Sequence, residues 1–482
     1  MTKKSFLTLV SAIFLVLILA ACGNDKNKDE SENTDTGDTD TATVPDTDPT
    51  DTGDTEVTPD EEPAEVEDSE IVPDEDNTDP ETVDPEWAAK YKKADESAEK
   101  VSEDVVKANN KLGLEIFSRL AQEEGAKNMM ISPLSIAISM AMTANGATGD
   151  ALAEMKEVLG FGEMELPDVN EQFAQLIASL VEADKDMVLE IANSVWMDDA
   201  FAPDVKQDFI DVLTEYYDAA LFAENFKDAA TVEKINSWVS EKTHGKIDKI
   251  LEKIGPDTVM HLINAIYFKA AWTTAFDKDR TYKGRFTLSD ESEVTADYMD
   301  FNPDADFQLL SYSYDSWENG FSVIRIPYGR DVFAFYGIVP SYGNETNIDD
   351  FIVQIAENGF DHYLQLLSKK TLKNFPLKLP KFKFGYEKSL VNVFKELGME
   401  MVFVGGLDNI SGSDLYISDI FHKTFIEVNE EGTEAAAITD IGVDCAGDLP
   451  GFYADRPFVF MIRDDRTGSI LFIGKVEDPT KE

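Results

Sequence analysis

Few residues in this 482-residue chain have the types and spacing that metal or nucleophilic chemistry requires. Its four histidines are His244, His261, His362 and His422. They are too far apart to form the H-x-x-x-H or H-E-x-x-H patterns of zinc sites. The G-x-S-x-G, P-loop and G-x-G-x-x-G patterns are missing as well. We therefore expect no metal site, no cofactor and no enzymatic activity.

One nucleophilic pair is conceivable by residue type, namely Cys445 with His422. Cys445 lies among Gly442, Asp444 and Gly447, in a segment with no positively charged neighbour to lower the pKa of its thiol. We therefore expect a single thiol that is not catalytic. A lipid-anchored hydrolase remains an alternative, which ester and peptide substrates would test.

The segment VNEEGTEAAAITD, residues 428–440, is more informative. A strand pattern, FHKTFIEVNE, runs directly into Gly432 and then into small residues. If residues 433–443 form a strand, its small-to-apolar face carries Thr433, Ala435, Ala437, Thr439, Ile441 and Val443. No proline interrupts residues 431–449, so this segment is suited to the middle of a sheet. Alanine-rich runs also occur in helices and solvated loops, so the pattern alone leaves the choice open.

The elements that must position this segment change along the chain. Apolar residues at helical spacing predict helices over 151–159, 169–181 and 205–216, each behind a glycine or proline start signal. Strand patterns dominate later, beginning with the continuous apolar run VMHLINAIYF at 259–268, which is typical of a strand covered on both faces. Two apolar runs around Asp464–Gly468 predict a terminal hairpin. The composition predicts one α+β domain over residues 87–482.

The first 22 residues have the pattern of an export signal and are expected to stay outside the fold. Lys3 and Lys4 precede an apolar run, and small residues precede Cys22. The run is too short to span a bilayer with suitable flanks. This pattern is similar to a bacterial lipoprotein signal, in which Cys22 becomes the lipid-modified first residue. An ordinary signal peptide with a chance cysteine is the alternative.

Residues 23–86 form a strongly acidic segment. They contain 26 Asp or Glu and two Lys, and they account for −24 of the chain's net charge of −53. The segment has few apolar residues and repeats DTGDT, so we expect a disordered tether. This charge makes nucleic acid an improbable partner. The D-x-[DN]-x-[DN]-G pattern of calcium loops does not occur.

Six segments together resemble the serpin family, in the family's order, from about residue 100 to the C-terminus. They are NMMISPLSIAISMAMTANGAT (128–148), ANSVW (192–196), INAIYFKAAW (263–272), LPKF (379–382), FHKTFIEVNEEGTEAAA (421–437) and RPFVFMIRDDRTGSILFIGKVEDP (456–479). The resemblance implies one α+β domain with a large mixed central sheet, further β-sheets and about eight or nine helices. It also implies an exposed reactive-centre loop over about 430–456.

The resemblance implies a suicide inhibitor of serine proteases, with cysteine proteases as a second class of partner, acting as a monomer. A protease would cut the loop and form an acyl-enzyme, and the upstream part of the loop would insert into the central sheet. The family's spacing from Gly432 and from Pro457 places the cut bond at Ala446–Gly447. An offset of one residue gives Cys445–Ala446 instead. Alanine at this position favours elastase-like or subtilisin-like enzymes.

The resemblance also assigns individual positions. The loop hinge would comprise Glu430, Gly432, Thr433, Ala435, Ala436 and Ala437. A polar cluster that controls opening of the sheet would comprise Ser132, Ser135, Asn264 and His422. Because an unpaired buried amide costs about 1–3 kcal/mol, we expect Asn264 to bond with His422. The top of the insertion site would carry Trp272 and Lys381, with Lys381 paired to Glu430. The alternative interpretation is that each residue of the polar cluster is only a polar group of the core whose hydrogen bonds are made.

One further interpretation remains open from the sequence. A non-inhibitory member of the family, acting as a surface-tethered binding or decoy protein, is the main alternative. Ile438 and Asp440 are bulkier or more charged than is usual in this part of the loop. For location, the leader predicts export and a lipid anchor at Cys22 in the bacterial cell envelope, as the only membrane attachment.

Overall fold

The structure is a computed structural model that describes residues 84–300, 320–341, 347–365, 367, 376–432 and 451–482, and the backbone alone of 11–21 and 311–314. The helices are α1 (Pro85–Ala98), α2 (Glu103–Glu124), α3 (Pro133–Ala144), α4 (Gly149–Val158), α5 (Leu166–Leu180), α6 (Gln207–Tyr217), α7 (Ala229–Lys242), α8 (Ile348–Asn358), α9 (Phe360–Leu364) and α10 (Val391–Glu396). The strands are β1 (Ser11–Ala21), β2 (Met129–Ile131), β3 (Met187–Asp198), β4 (Ala220–Glu224), β5 (Thr258–Ala270), β6 (Tyr282–Thr287), β7 (Glu293–Met299), β8 (Ser311–Tyr314), β9 (Phe321–Tyr328), β10 (Phe333–Pro340), β11 (Leu377–Pro380), β12 (Phe382–Ser389), β13 (Leu415–Val428), β14 (Phe452–Tyr453), β15 (Phe458–Asp464) and β16 (Ile470–Val476).

Three sheets organise the described residues. The central sheet has the order β12-β13-β1-β5-β3-β4, and only its β3–β4 pair is parallel. The second sheet has the order β2-β16-β15-β10-β9-β8, and the third has the order β14-β11-β7-β6. Helices and sheets of this kind confirm the predicted α+β class with a large mixed central sheet. The described residues include ten α-helices, slightly more than the eight or nine expected.

Helix α3 fills the space between the central and second sheets. All twelve of its residues are buried, because PLSIAISMAMTA carries only apolar or small side chains around its circumference. Pro133 occupies the first turn, where its missing N–H costs nothing, and the Ser132 side chain caps the helix by accepting from the Ser135 N–H at 3.1 Å. The helix contacts β16 on one side and β5 on the other. Its N-terminus therefore lies at the centre of the domain.

Helix α7 covers the other face of the central sheet. Ile235 and Val239 of this helix pack against Trp196, Ile263 and Tyr267 in a separate hydrophobic cluster. Alternate residues of β5 therefore face two different cores, because successive side chains of a strand point to opposite faces. This arrangement explains the continuous apolar run that the sequence shows at 259–268.

His261 is the exception on this face of β5. Its side chain is fully buried, its ring centroid lies 5.4 Å from that of Phe226, and neither ring nitrogen has a hydrogen-bond partner among the described residues. Burial lowers the pKa of His261 to about 3. The imidazole is therefore neutral in the folded protein at physiological pH.

We expect His261 to make the free energy of unfolding fall as the pH falls below about 6.5. Between pH 6.5 and 3 the unfolded chain binds a proton at this residue that the folded chain does not bind, so acid favours unfolding. Between pH 7 and pH 4 the loss is about 3 kcal/mol. Urea unfolding of the wild type and of His261→Leu at both pH values measures it. Equal losses in the two proteins would contradict the assignment.

Most predicted elements occur where the sequence places them. Helices α4, α5 and α6 confirm the three helical segments, β5 confirms the buried strand, and β15 with β16 confirms the terminal hairpin. The strand pattern FPLKLPKFKF (375–384) divides into β11 and β12, which belong to different sheets. The Lys381 N–H still bonds to the Asp297 carbonyl of β7 and so continues the β11–β7 ladder, whereas pairing with β13 begins at Phe382. The folded body begins earlier than predicted, since α1 starts at Pro85 with Asp84 as its N-cap.

The leader differs from expectation. In the full-length chain residues 11–21 do not stay outside the fold but form β1, which lies between β5 and β13 and is antiparallel to both. The segment SAIFLVLILAA has no charge, proline or glycine, so every residue is compatible with a central strand. An apolar run of this kind is equally suited to an export signal, which is why the sequence alone does not distinguish the two. Removal of the leader stays a prediction.

Candidate functional site

A buried hydrogen-bonded chain crosses the centre of the central sheet. The Ser132 N–H donates to Nε2 of His422 on β13 at 3.1 Å, and the Ser132 hydroxyl donates to the Leu471 carbonyl at 2.7 Å. The Ser135 hydroxyl donates to Oδ1 of Asn264 on β5. Because Nε2 of His422 accepts a hydrogen bond, the neutral ring carries its proton on Nδ1. Helix α3 thus connects two strands that are not direct neighbours.

The network continues to β3. Nδ2 of Asn264 donates to Oδ1 of Asn193 at 2.7 Å, and Nδ2 of Asn193 donates to the Tyr217 carbonyl at 2.7 Å. The Tyr217 hydroxyl donates to Oδ1 of Asn170 at 2.7 Å, and burial raises the pKa of this tyrosine, so it stays a neutral donor. These side chains are at most 3% exposed. Each amide therefore has the partners that its burial demands.

The four predicted cluster residues come together, but the expected contact between Asn264 and His422 is wrong in the full-length chain. Leu15 of β1 pairs with both residues in register, so β5 and β13 are two strand spacings apart, roughly 10 Å. Asn264 is satisfied by Ser135 and Asn193 instead. Direct contact would require β1 to leave the position between the two strands.

Trp272 lies at the upper end of this position, just beyond the end of β5. Its indole Nε1–H donates to the Asn429 carbonyl at 2.9 Å, and its backbone N–H donates to the Glu431 carbonyl at 3.2 Å. The ring stacks on Tyr328 with centroids 4.4 Å apart and planes at 9°. Trp272 therefore holds the segment that follows β13 against the end of β5.

Glu430 is buried rather than exposed as expected for a loop residue. One carboxylate oxygen accepts from the Thr281 hydroxyl at 2.6 Å, and the other lies 3.1 Å from Nζ of Lys381. That second contact is an ion pair without hydrogen-bond alignment, since Oε2 has no hydrogen bond among the described residues. Lys278 pairs with Glu431 next to it. The predicted Lys381–Glu430 pair is therefore present, with its carboxylate only 1% exposed.

Gly432 has the backbone that only glycine adopts readily. Its φ is +136°, and it forms an isolated bridge with Asn429. A Cβ at this position would lie 2.2 Å from the Ala270 carbonyl oxygen and 2.9 Å from Cα of Ala271. The chain beyond β13 therefore lies tightly against the end of β5. This position matches the turning point that the sequence analysis assigns to the hinge.

We expect Gly432→Ala to lower the free energy of unfolding by about 2 kcal/mol, because the substitution combines a disfavoured φ with a backbone clash. Gly405→Ala is the matched control, since a Cβ there meets nothing within 4 Å. Urea unfolding measures both. A change of less than about 0.5 kcal/mol in Gly432→Ala, the size of an ordinary surface substitution, would contradict the geometry.

Several predicted site residues lie outside the described residues. They are Cys22, Thr433, Ala435, Ala436, Ala437, Ala446 and Gly447. Cys445 and most of the predicted loop, residues 433–450, lie outside as well. Their assignments stay predictions. The ends of the loop are described: residues up to Gly432 are held at the end of β5, and β14 pairs in parallel with β11.

Sequence reasoning missed the partners that complete these contacts. Asn193 stands opposite Asn264 in the β3–β5 register, and an asparagine in each of two apolar strands was the available signal. Thr281, Tyr328 and Asn429 come from separate parts of the chain, so no spacing connects them.

The described residues contain no group of three or more His, Cys, Asp or Glu placed to hold a metal ion. Nor is any helix among them both long and apolar enough to cross a membrane.

Comparison with protein families gives a match over residues 107–479 to the family described as serpin, serine protease inhibitor. Among curated relatives, Serpin-Z10 of Arabidopsis thaliana is 35% identical over 382 residues, covering 75% of this chain and 94% of the relative. Iripin-8 of Ixodes ricinus is 30% identical over 388 residues, covering 77% and 93%.

Solved structures have the same fold. The thermophilic serpin tengpin in its latent state gives a TM-score of 0.63 at 30% identity, covering 77% of this chain and 97% of tengpin. Human thyroxine-binding globulin, in complex with thyroxine, gives 0.66 at 24% identity, covering 78% and 99%. At that identity the second similarity concerns the fold alone. Thyroxine is the ligand of that protein, and a shared fold alone does not decide function.

Proposed function

This chain belongs to the serpin family, whose members are mostly protease inhibitors, and we propose that it inhibits serine proteases by trapping them as acyl-enzymes. The loop that follows Gly432 offers Ala446–Gly447 to the protease. After cleavage the part upstream of Ala446 inserts into the central sheet between β5 and β13, which we call the central slot. The attached protease is carried along, and its distorted active site no longer completes hydrolysis.

The observation that carries this proposal is the presence of an added strand in the central slot. The sheet accepts β1 there, antiparallel to β5 and β13 along its length. A chain that leaves β13 and turns back at Gly432 would run in the same direction. The backbone at Gly432, held against Ala270 and Ala271, supports a reversal at this point.

The covalent step is ordinary acyl transfer. The protease serine oxygen attacks the Ala446 carbonyl carbon, the bond to the Gly447 nitrogen breaks, and Gly447 leaves as a free amine after protonation by the protease histidine. The product is an ester between Ala446 and the protease. Loop insertion must outpace attack of water on this ester, because hydrolysis would release an active enzyme. Energy stored in the intact protein supplies that speed.

The residue before the cut bond sets the target class. Alanine fills a small primary pocket and has no charge for the acidic pocket of trypsin-like enzymes. We therefore propose elastase-like or subtilisin-like proteases as targets, with cysteine proteases as a second class. Cleavage one residue earlier, at Cys445–Ala446, is the competing position. The mass of the released C-terminal peptide distinguishes the two bonds.

The test is a panel of elastase-like, subtilisin-like, trypsin-like and papain-like proteases, incubated with the processed chain, which begins at Cys22. We expect a complex with the elastase-like or subtilisin-like enzyme that survives a denaturing gel. Clean cleavage without an adduct across the whole panel would instead identify a non-inhibitory member of the family.

We also propose that the protein is exported and anchored to the cell envelope through a lipid on Cys22, and that it acts as a monomer. The support is the leader pattern of residues 1–22 and the acidic segment that follows it. By the flexible-chain rule, the acidic segment before α1 would place the inhibitor roughly 40–50 Å from the membrane. Metabolic labelling with a fatty acid, lost in Cys22→Ala, tests the anchor.

A further inference from the structure

The central slot of the full-length chain is filled by the chain's own leader. Ser11 pairs with Phe268 near the upper end of β5, and Ala21 pairs with Leu415 at the start of β13. The leader therefore enters the sheet at the end where Trp272 and Gly432 lie, and it leaves at the opposite end. The last described residue of β1 is Ala21, which directly precedes the predicted processing site.

The leader and the loop compete for the same backbone groups. In an antiparallel central strand each N–H and C=O bonds to one neighbour or the other, so β1 uses the facing edges of β5 and β13. A loop that turns back at Gly432 needs those same edges. Two strands cannot pair with one edge, so insertion of the loop requires the leader to leave.

The composition favours the leader in this competition. Residues 11–21 contain no charged residue, whereas the equally long segment 433–443 carries Glu434 and Asp440. Burying a charged group without a partner is costly. Because the leader is covalently connected to the folded body, its insertion is also intramolecular.

We propose that the unprocessed leader is an intramolecular plug of the central slot, so that the inhibitor becomes active only when residues 1–21 are removed. This inference rests on the proposed inhibitory function. Removal is hydrolysis of the Ala21–Cys22 bond, in which water supplies one oxygen of the Ala21 carboxylate and two protons of the Cys22 ammonium group. The released strand is then no longer tethered, and the slot is free for the loop. Copies that fold before export stay inert towards proteases inside the cell.

The test uses the full-length chain, produced without export and checked by intact mass for retention of residues 1–21. Leu17→Pro removes a backbone donor from the middle of β1, and a central strand does not tolerate that loss. Leu17→Ile is the matched control, because it keeps both the N–H and the apolar composition. Hydrogen exchange of the peptide covering residues 11–21 reports directly on the plug. Complex formation with an elastase-like protease reports on its consequence.

We expect residues 11–21 of the wild type and Leu17→Ile to exchange at least about 100-fold more slowly than in Leu17→Pro, as central strands do relative to open chain. We expect Leu17→Pro to form the covalent complex at least about tenfold faster than the other two.

Each other outcome is decisive. Rapid exchange of residues 11–21 in the wild type overturns the plug whatever the inhibition. Slow exchange together with equal complex formation in all three proteins overturns its regulatory role and leaves the proposed function intact. If neither Leu17→Pro nor the processed chain forms a complex with any protease of the panel, the proposed function fails, and slow exchange would still establish the leader as an inserted strand without an inhibitory consequence.

Discussion

Thr433→Arg, made in the processed chain, is expected to abolish inhibition while leaving cleavage of the loop intact. If residues 433–443 insert as a strand, Thr433 faces inward, and arginine would carry an unpaired charge into the sheet. A cost of about 4 kcal/mol in the inserting state slows insertion about a thousandfold. Hydrolysis of the acyl-enzyme is then faster than insertion of the loop, and the protease is released active.

The matched control for this prediction is Glu434→Arg. Residue 434 lies on the opposite face of the same strand pattern and is already charged in the wild type. Replacing one charge by another there is therefore expected to leave complex formation within about tenfold of the wild type. Denaturing gels and residual protease activity measure both variants. Retained complex formation by Thr433→Arg would count against insertion, and equal loss in the two variants would show that charge rather than face is responsible.

Asn264→Leu is expected to lower the free energy of unfolding of the full-length chain by about 4 kcal/mol. The substitution leaves the Asn193 amide oxygen and the Ser135 hydroxyl without their partner in a region that is at most 3% exposed. Each buried group that loses its partner costs about 1–3 kcal/mol. The change in side-chain volume is small, so packing contributes little.

Ser139→Ala on helix α3 is the control for Asn264→Leu. Ser139 is 1% exposed, and its hydroxyl has no hydrogen-bond partner among the described residues. Removing that hydroxyl therefore breaks no described hydrogen bond, and we expect a change within about 0.5 kcal/mol. Urea unfolding of the three proteins measures the difference. Equal effects of the two substitutions would mean that the network does not stabilise the sheet.

Local patterns predicted the strands and helices, because the spacing of apolar residues along each element depends only on which side of that element faces the core. The run at 259–268 and the alternation at 421–428 became β5 and β13, and the small-residue helix α3 lies between two sheets as its apolar composition requires. The lysine at 381 illustrates a limit of such patterns. Nothing in FPLKLPKFKF shows that residues up to Lys381 pair with β7 while residues from Phe382 onward pair with β13 in another sheet.

The sequence predicted which residues form the polar cluster, but not which residues they contact. The resemblance supplied Asn264 and His422, yet the partner of Asn264 is Asn193, because β1 separates β5 from β13. That separation depends on whether residues 11–21, which are remote in sequence, pair with β5 and β13. Residues 11–21 have a composition that suits a leader and a buried strand equally, so only the unpaired edges of two distant strands decide the outcome.

The proposed mechanism requires that the intact inhibitor stores energy that strand insertion releases. The most direct measurement is the melting temperature of the processed chain before and after cleavage of its loop by an elastase-like protease. We expect a rise of at least about 10 °C, or about 8 kcal/mol for a domain of roughly 400 residues, as the cleaved loop fills the central slot. An unchanged melting temperature, with cleavage confirmed by mass, would contradict it.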